Sequence, residues 1–185
     1  MPVVIAMLRA VNVGGHNKIK MEDLGALCKA LKFRDARTFI QSGNVIFKTA
    51  ETDMAALAKR LQDAIERKFR FRPEVVMRTH AEMKEAIARN PFAKRRDVQP
   101  NRLLVTFLTG EPGTEAREKA AKLKTEPEEL RIERREVYIY FPNGMARPKI
   151  SWPTIERTLK VTGTGRNWSS VTKMLEIAEE LAASE

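Results

Sequence analysis

The apolar residues of the chain trace a strand, helix, hairpin, helix, strand, helix series, stop at a proline-bearing stretch, and then trace the same series again. A pattern that restarts in this way points to two similar mixed halves in tandem, because each half carries its own strands and its own amphipathic helices to cover them. In the first half, residues 3–11 are almost continuously apolar, as in a strand covered on both faces, and the run breaks at Asn12 before Gly14-Gly15. Met21, Leu24, Leu27, Cys28 and Leu31 recur at helical spacing, with Glu22 and Asp23 in the first turn, where the helix dipole favours negative charge. Two β-prone runs, 36–41 and 44–48, flank Ser42-Gly43 as a hairpin. A second helix is expected to start with Thr52 as its cap and to bury Leu57, Leu61, Ile65 and Phe69. Residues 74–78 read as a strand, and Thr79-His80-Ala81-Glu82 has the capping-box spacing that opens a further helix.

Pro91 and Pro100 lie in a stretch without periodicity, after which the second half begins. It reads as a strand at 102–108, a helix at 114–124, a hairpin within 130–141, a short helix at 153–159, an extended piece at 162–166 and a last helix burying Val171, Met174, Ala178 and Leu181. The predicted fold class is α+β: two ferredoxin-like (βαββαβ) subdomains in tandem, plus extra helices. The boundaries predicted are 1–90 for the first subdomain, 91–101 for a linker and 102–185 for the second with its C-terminal helix.

Composition narrows the function classes. One cysteine and two histidines leave no thiolate cluster and no His-x-x-x-His spacing, so no protein-built metal site is expected, and the residues call for no cofactor. No stretch reaches the roughly 18 apolar residues of a membrane span. A cytoplasmic protein with no membrane partner is therefore expected. The formal net charge of +10 favours encounters with anions, either small phosphate-bearing molecules or nucleic acid. Its least balanced cluster is Arg89, Lys94, Arg95, Arg96 and Arg102.

A ferredoxin-like half has strand order 4-1-3-2, which sets the carboxyl ends of its first two strands at one edge. That topology brings Arg9, Asn12, Gly14, Gly15, His16, Asn17 and Lys18 beside the hairpin tip Gln41, Ser42, Gly43 and Asn44. Outward-pointing backbone N–H groups at paired glycines, a helix N-terminus and lysines suit an anion. The glycines equally suit a plain chain reversal, and the asparagines the satisfaction of loop backbone groups. The spacing matches neither the P-loop nor the dinucleotide fingerprint. His16 is the one candidate for proton transfer, with no acid placed locally to orient it. Ser42 lacks a nucleophile elbow. Arg166 and Asn167, beside Trp168, combine a cation, an amide and an aromatic face, a set that can hold a phosphate or can equally form an ion pair, a helix cap and a core anchor. Tyr138 and Tyr140 alternate onto one sheet face, as a base-stacking platform would require.

The motifs Leu8-Arg9-Ala10-Val11-Asn12-Val13-Gly14-Gly15-His16-Asn17-Lys18-Ile19, Thr38-Phe39-Ile40-Gln41-Ser42-Gly43-Asn44-Val45-Ile46-Phe47 and Gly165-Arg166-Asn167-Trp168, in this order, resemble the bacterial domain-of-unknown-function family numbered 1697. The resemblance runs over residues 3–182. It implies a two-part, ferredoxin-related α+β fold and brings no activity with it. One departure lies at Asn143-Gly144-Met145-Ala146-Arg147-Pro148-Lys149, where a Gly-Arg-Ser-Lys-like stretch is expected and Pro148 takes the place of the serine. The functional expectation is binding of an anionic ligand at the glycine-loop patch. The alternatives are a small-molecule enzyme with its cleft between the halves, or a structural or assembly protein without a ligand.

Overall fold

The computed structural model describes residues 1–184. Among the described residues the chain forms two four-stranded antiparallel sheets and six α-helices, with one 3-10 turn at Pro100–Arg102. The first sheet contains β1 (Val3–Leu8), β2 (Arg34–Phe39), β3 (Asn44–Lys48) and β4 (Val75–Thr79) in the order β2-β3-β1-β4. Its helices are α1 (Met21–Ala30) and α2 (Met54–Phe69), and β4 leads directly into α3 (His80–Ala88). The second sheet contains β5 (Leu103–Leu108), β6 (Glu129–Glu133), β7 (Glu136–Tyr140) and β8 (Gly163–Asn167) in the order β6-β7-β5-β8. Its helices are α4 (Thr114–Ala121) and α5 (Trp152–Leu159), and β8 leads directly into α6 (Trp168–Ala183). Both halves are therefore ferredoxin-like, with the strand order expected from the sequence. By compactness the chain divides into residues 1–85 with 173–185, and residues 86–172.

Alternation along the strands separates the two faces of each sheet. In the first unit Val4, Ala6, Leu8, Val45 and Phe47 pack with Leu24 and Cys28 of α1 and Leu57, Leu61 and Ile65 of α2. The other face of β1, with Val3, Ile5 and Met7, is equally buried, which is why residues 3–8 read as one apolar run. In the second unit Leu108, Val137, Ile139 and Phe141 pack with Ala120 of α4 and with Ile155 and Leu159 of α5. Close approaches exclude a Cβ at one glycine of β8 and crowd it at the other. A Cβ at Gly163 would sit 2.8 Å from the Phe107 carbonyl oxygen, and one at Gly165 would sit 3.2 Å from Leu104 Cδ2.

The helix starts show how far local chemistry reaches. Thr79 and Glu82 form the predicted capping box, Thr79 Oγ1 accepting from Glu82 N (3.2 Å) and Glu82 Oε2 accepting from Thr79 N (2.8 Å). At α2 the cap is Asp53, whose side chain accepts from Ala56 N (3.0 Å), and not Thr52. Glu51 Oε1 accepts from the backbone of both Thr52 and Asp53, at 2.9 Å each, and this turn pushes the helix start one residue along.

The two halves share more than their element order. Thr79, the α3 cap, pairs with Val4 of β1, and Asn167, which caps α6, pairs with Leu104 of β5 at the matching register. One residue earlier stands a buried arginine in each half. Arg78 Nη1 donates to Met77 O and Arg166 Nη1 to Gly165 O, both at 2.9 Å.

Candidate ligand-binding site

Antiparallel pairing of β2 with β3 and of β3 with β1 makes β1 and β2 run in the same direction, so their ends share one edge of the sheet. Gly43 lets the hairpin tip close on β1. Its φ is +81°, a conformation glycine adopts freely, and a Cβ there would meet Leu8 Cβ at 3.2 Å. The Gly43 carbonyl accepts from Leu8 N at 2.8 Å.

Asn12 joins the loop to the tip. Its Nδ2 donates to Gln41 O (2.8 Å) and Ile19 O (2.9 Å), while its Oδ1 accepts from Ile19 N (2.9 Å). Asn17 closes the loop on itself, Nδ2 donating to Ala10 O at 3.0 Å and its carbonyl accepting from Asn12 N at 3.1 Å. A turn from Val13 O to His16 N (3.0 Å) carries Gly14 and Gly15 outward. The backbone here is strained: Ala10, Asn12, Asn17 and Ile40 have φ of +54°, +56°, +50° and +50°. For β-branched Ile40 that region is a true outlier, and strain of this kind gathers where surroundings hold a backbone for use. Val13 and Ile40 also stand exposed at 63% and 42%.

Beside this junction opens a cavity of about 790 Å³, within the range over which ligand pockets run. Of the residues singled out from the sequence, Asn12, Gly15, Lys18 and Gln41 line it. Lys20 and the first turn of α1 (Met21, Glu22, Asp23) form another side, with Ile19 and Phe69 as apolar wall. The α1 cap position, Lys20, has extended backbone and makes no side-chain cap, so the helix start is open to a ligand acceptor. Glu22 and Asp23 set two carboxylates against the two lysines, so the cavity is charged on both sides and not simply cationic.

The other predicted residues have other positions. Arg9 pairs with Glu74 at 3.3 Å. Gly14, His16 and Asn17 sit on the exposed loop outside the cavity lining, and His16 makes no side-chain hydrogen bond among the described residues. Asn44 is fully buried, its Nδ2 donating to Phe39 O (2.9 Å) and Ser42 Oγ (3.2 Å), so Ser42, Gly43 and Asn44 shape the tip. Arg166 and Asn167 belong to the second unit. Arg166 is 5% exposed, donates to Thr164 Oγ1 at 2.7 Å, and is pushed down to about 10 by burial. Asn167 Oδ1 accepts from Ser170 N (2.9 Å) and Ser169 Oγ (2.8 Å), the helix-cap role. Tyr138 and Tyr140 are buried, with hydroxyls donating to Ala86 O and Asp97 O, so they offer no face to an unpaired base.

Two of the five cations of the predicted basic cluster are neutralised within their own unit, and a third donates to a carbonyl. Arg89 pairs with Glu136 (3.1 Å), Arg95 with Glu129 (2.6 Å) and Asp97, and Arg102 donates to the Pro142 carbonyl. Among the described residues no group of three or more His, Cys, Asp or Glu is arranged to hold a metal ion, and no helix is long and apolar enough to cross a membrane.

A family model matches residues 1–138, which contain the loop, the hairpin tip and the whole cavity lining. The chain belongs to the DUF1697 family. The description of that family is a protein of unknown function. A solved structure of a conserved bacterial protein from Streptococcus pneumoniae superposes with a TM-score of 0.69 at 20% identity, covering 96% of this chain and 98% of that one. At that identity the likeness concerns the fold alone. No curated protein matches the chain. The family match ends before the Arg166 motif and before the 143–149 loop.

Proposed function

We propose that the chain binds a small anionic molecule in the cavity between the glycine loop and the hairpin tip. The observation that carries this reading is the uncapped start of α1 opening into a cavity that Lys18 and Lys20 also line. An acidic group fits there, accepting from the N–H groups of the first helical turn while the lysine ammonium groups approach from the loop. Gln41 and Gly15 supply further polar contacts, and Ile19, Met21 and Phe69 an apolar wall for the rest of the molecule.

A small ligand is favoured over nucleic acid. Polymer binding draws on many phosphate contacts along a basic track, whereas here two cations face two carboxylates and Arg89 and Arg95 of the other basic cluster are already paired. Catalysis is less favoured than binding, because the lining holds no serine, cysteine or histidine, and its only acid–base groups besides the lysines are Glu22 and Asp23.

The test is thermal denaturation with inorganic phosphate, pyrophosphate and a nucleoside triphosphate, repeated on the Lys18→Ala, Lys20→Ala double variant. Binding predicts a melting temperature that rises with concentration, by about 2.7 kcal/mol of stabilisation at a hundred times Kd. The double variant should need roughly tenfold or more ligand for the same rise, since a charge-assisted contact contributes about 1.5–3 kcal/mol. Equal shifts in both proteins, or none in either, would remove this reading.

A further inference from the structure

The second unit contains a pocket of a different character. It measures about 300 Å³, and its walls are Leu104, Ile139, Phe141, Met145, Ile150 and Trp152, with Pro148 at its edge. The Trp152 indole N–H donates to Glu156 Oε2 at 3.0 Å, so its hydrogen-bonding capacity is already satisfied and what it adds to the wall is apolar. One polar side chain interrupts this lining. Thr106 Oγ1 is buried, on a residue 1% exposed, and has no hydrogen-bond partner. It faces the space above Gly165, where a Cβ would sit 3.4 Å from it, and Gly165 also lines the pocket. A buried hydroxyl left unpaired is costly, and such groups are few in native chains.

The loop that supplies Met145 and Pro148 to this lining has the opposite chemistry. The 143–149 loop turns at Gly144, whose N–H donates to Phe141 O at 3.0 Å, and its far end is held by the buried Glu128 carboxylate, which accepts from Ile150 N at 3.1 Å. Between these anchors the loop brings Met145 and Pro148 to the pocket and leaves Arg147 and Lys149 exposed, with no ion-pair partner among the described residues. The loop carries no acidic residue.

We infer that this pocket binds a small amphipathic organic acid: a flat apolar body between Trp152 and the sheet, one hydroxyl or carbonyl at its inner end on Thr106, and a carboxylate at the mouth facing Arg147 and Lys149. The body is apolar because, Thr106 apart, every side chain of the lining is. The inner polar group is required because Thr106 can both donate and accept and has nothing else to bond. The acid is placed outside because Arg147 and Lys149, on the loop that also supplies Met145 and Pro148 to the lining, are exposed cations without an ion-pair partner among the described residues. The volume is at the small end for ligand pockets, which fits a one- or two-ring molecule.

The probe is 6-hydroxy-2-naphthoate, compared with 2-naphthoate and 2-naphthol, titrated into the full chain while the Met145 and Ile150 methyl signals are followed by NMR. Those methyls should shift saturably, with the hydroxy acid binding about tenfold more tightly than 2-naphthoate, the difference expected for a hydrogen bond to an otherwise unpaired buried group. Thr106→Val should abolish that tenfold difference while raising the melting temperature, since it removes the unpaired hydroxyl at nearly constant volume. Arg147→Ala with Lys149→Ala, both exposed and so without consequence for folding, should weaken both acids severalfold and leave 2-naphthol unchanged. Absence of saturable shifts at these methyls overturns the proposal. So does an unchanged preference in Thr106→Val, or acid binding that is insensitive to the paired variant. A Lys18→Ala control should leave these shifts untouched.

Discussion

Replacing Asn12 by alanine tests whether one side chain holds the loop to the hairpin tip. The substitution removes three close hydrogen bonds, to Gln41 O, to Ile19 O and from Ile19 N, and a longer one to Gln41 Oε1 at 3.4 Å that adds little. At a net value of about 0.5–1.5 kcal/mol each these amount to roughly 1.5–4.5 kcal/mol. Asn12 is half-buried, so water can reach the released groups, and the lower half of that range applies. Alanine carries the same Cβ as asparagine at φ +56°, so the left-handed strain is common to both and only the bonds that offset it are lost. The expected loss is about 2–3 kcal/mol. Asn12→Gly removes the same bonds but accepts the φ, so its loss should be smaller by roughly the 1 kcal/mol of strain. Urea denaturation of the two variants beside the parent gives both numbers. The reasoning is refuted if Asn12→Ala lies within about 0.5 kcal/mol of the parent, the ordinary range for an unremarkable surface change. It is equally refuted if the glycine variant is the less stable of the two.

Three further outcomes follow from the packing. Gly163→Ala should cost about 1–3 kcal/mol or more in a chemical melt, because the new methyl would lie 2.8 Å from a backbone carbonyl that cannot move freely. Thr79→Ala and Asn167→Ala should each lose about 1 kcal/mol, as cap removals do, with helical circular dichroism otherwise retained. Cys28 is buried and its thiol is pushed up to about 12 by desolvation, so it should resist alkylation in the native protein at mildly alkaline pH and react at once in urea. Because the folded value lies above the unfolded value of 9.0, its contribution to stability is complete below 9.0 and declines as pH rises toward 12. Cys28→Ala should flatten that alkaline decline.

The element order was readable because each local cue agreed with the next. The apolar run at 3–8, the helical spacing in α1 and α2, and the Thr79–Glu82 box all survive folding unchanged, and strand order follows from them by the handedness of crossovers. The α2 cap moved from Thr52 to Asp53 because a Glu51 carboxylate captured the turn, a competition between three adjacent oxygen-bearing side chains that spacing does not decide. Charge misled for a different reason. Arg89 and Arg95 look unbalanced beside their neighbours, yet Glu136, the partner of Arg89, stands 47 residues away, and Arg95 adds to its neighbour Asp97 a second partner, Glu129, 34 residues away. The site divides in the same way. Asn12 and Gln41 meet because topology requires it, and the sequence shows that much. Phe69 reads as one more core position of α2, and only the packing of that helix beside α1 puts it on the cavity wall. Arg166 and Asn167 have the residue types of a phosphate clamp and of an arginine beside a helix cap alike, and their observed partners are internal.

The most direct test of the central claim is a backbone amide NMR titration of the intact chain with pyrophosphate. The account predicts saturable shifts concentrated at Gly15, Lys18 and the Met21, Glu22 and Asp23 amides, with Gln41 following, and their loss in the Lys18→Ala, Lys20→Ala protein. Shifts absent from the start of α1, or spread evenly over the basic surface and unchanged in that variant, would contradict it.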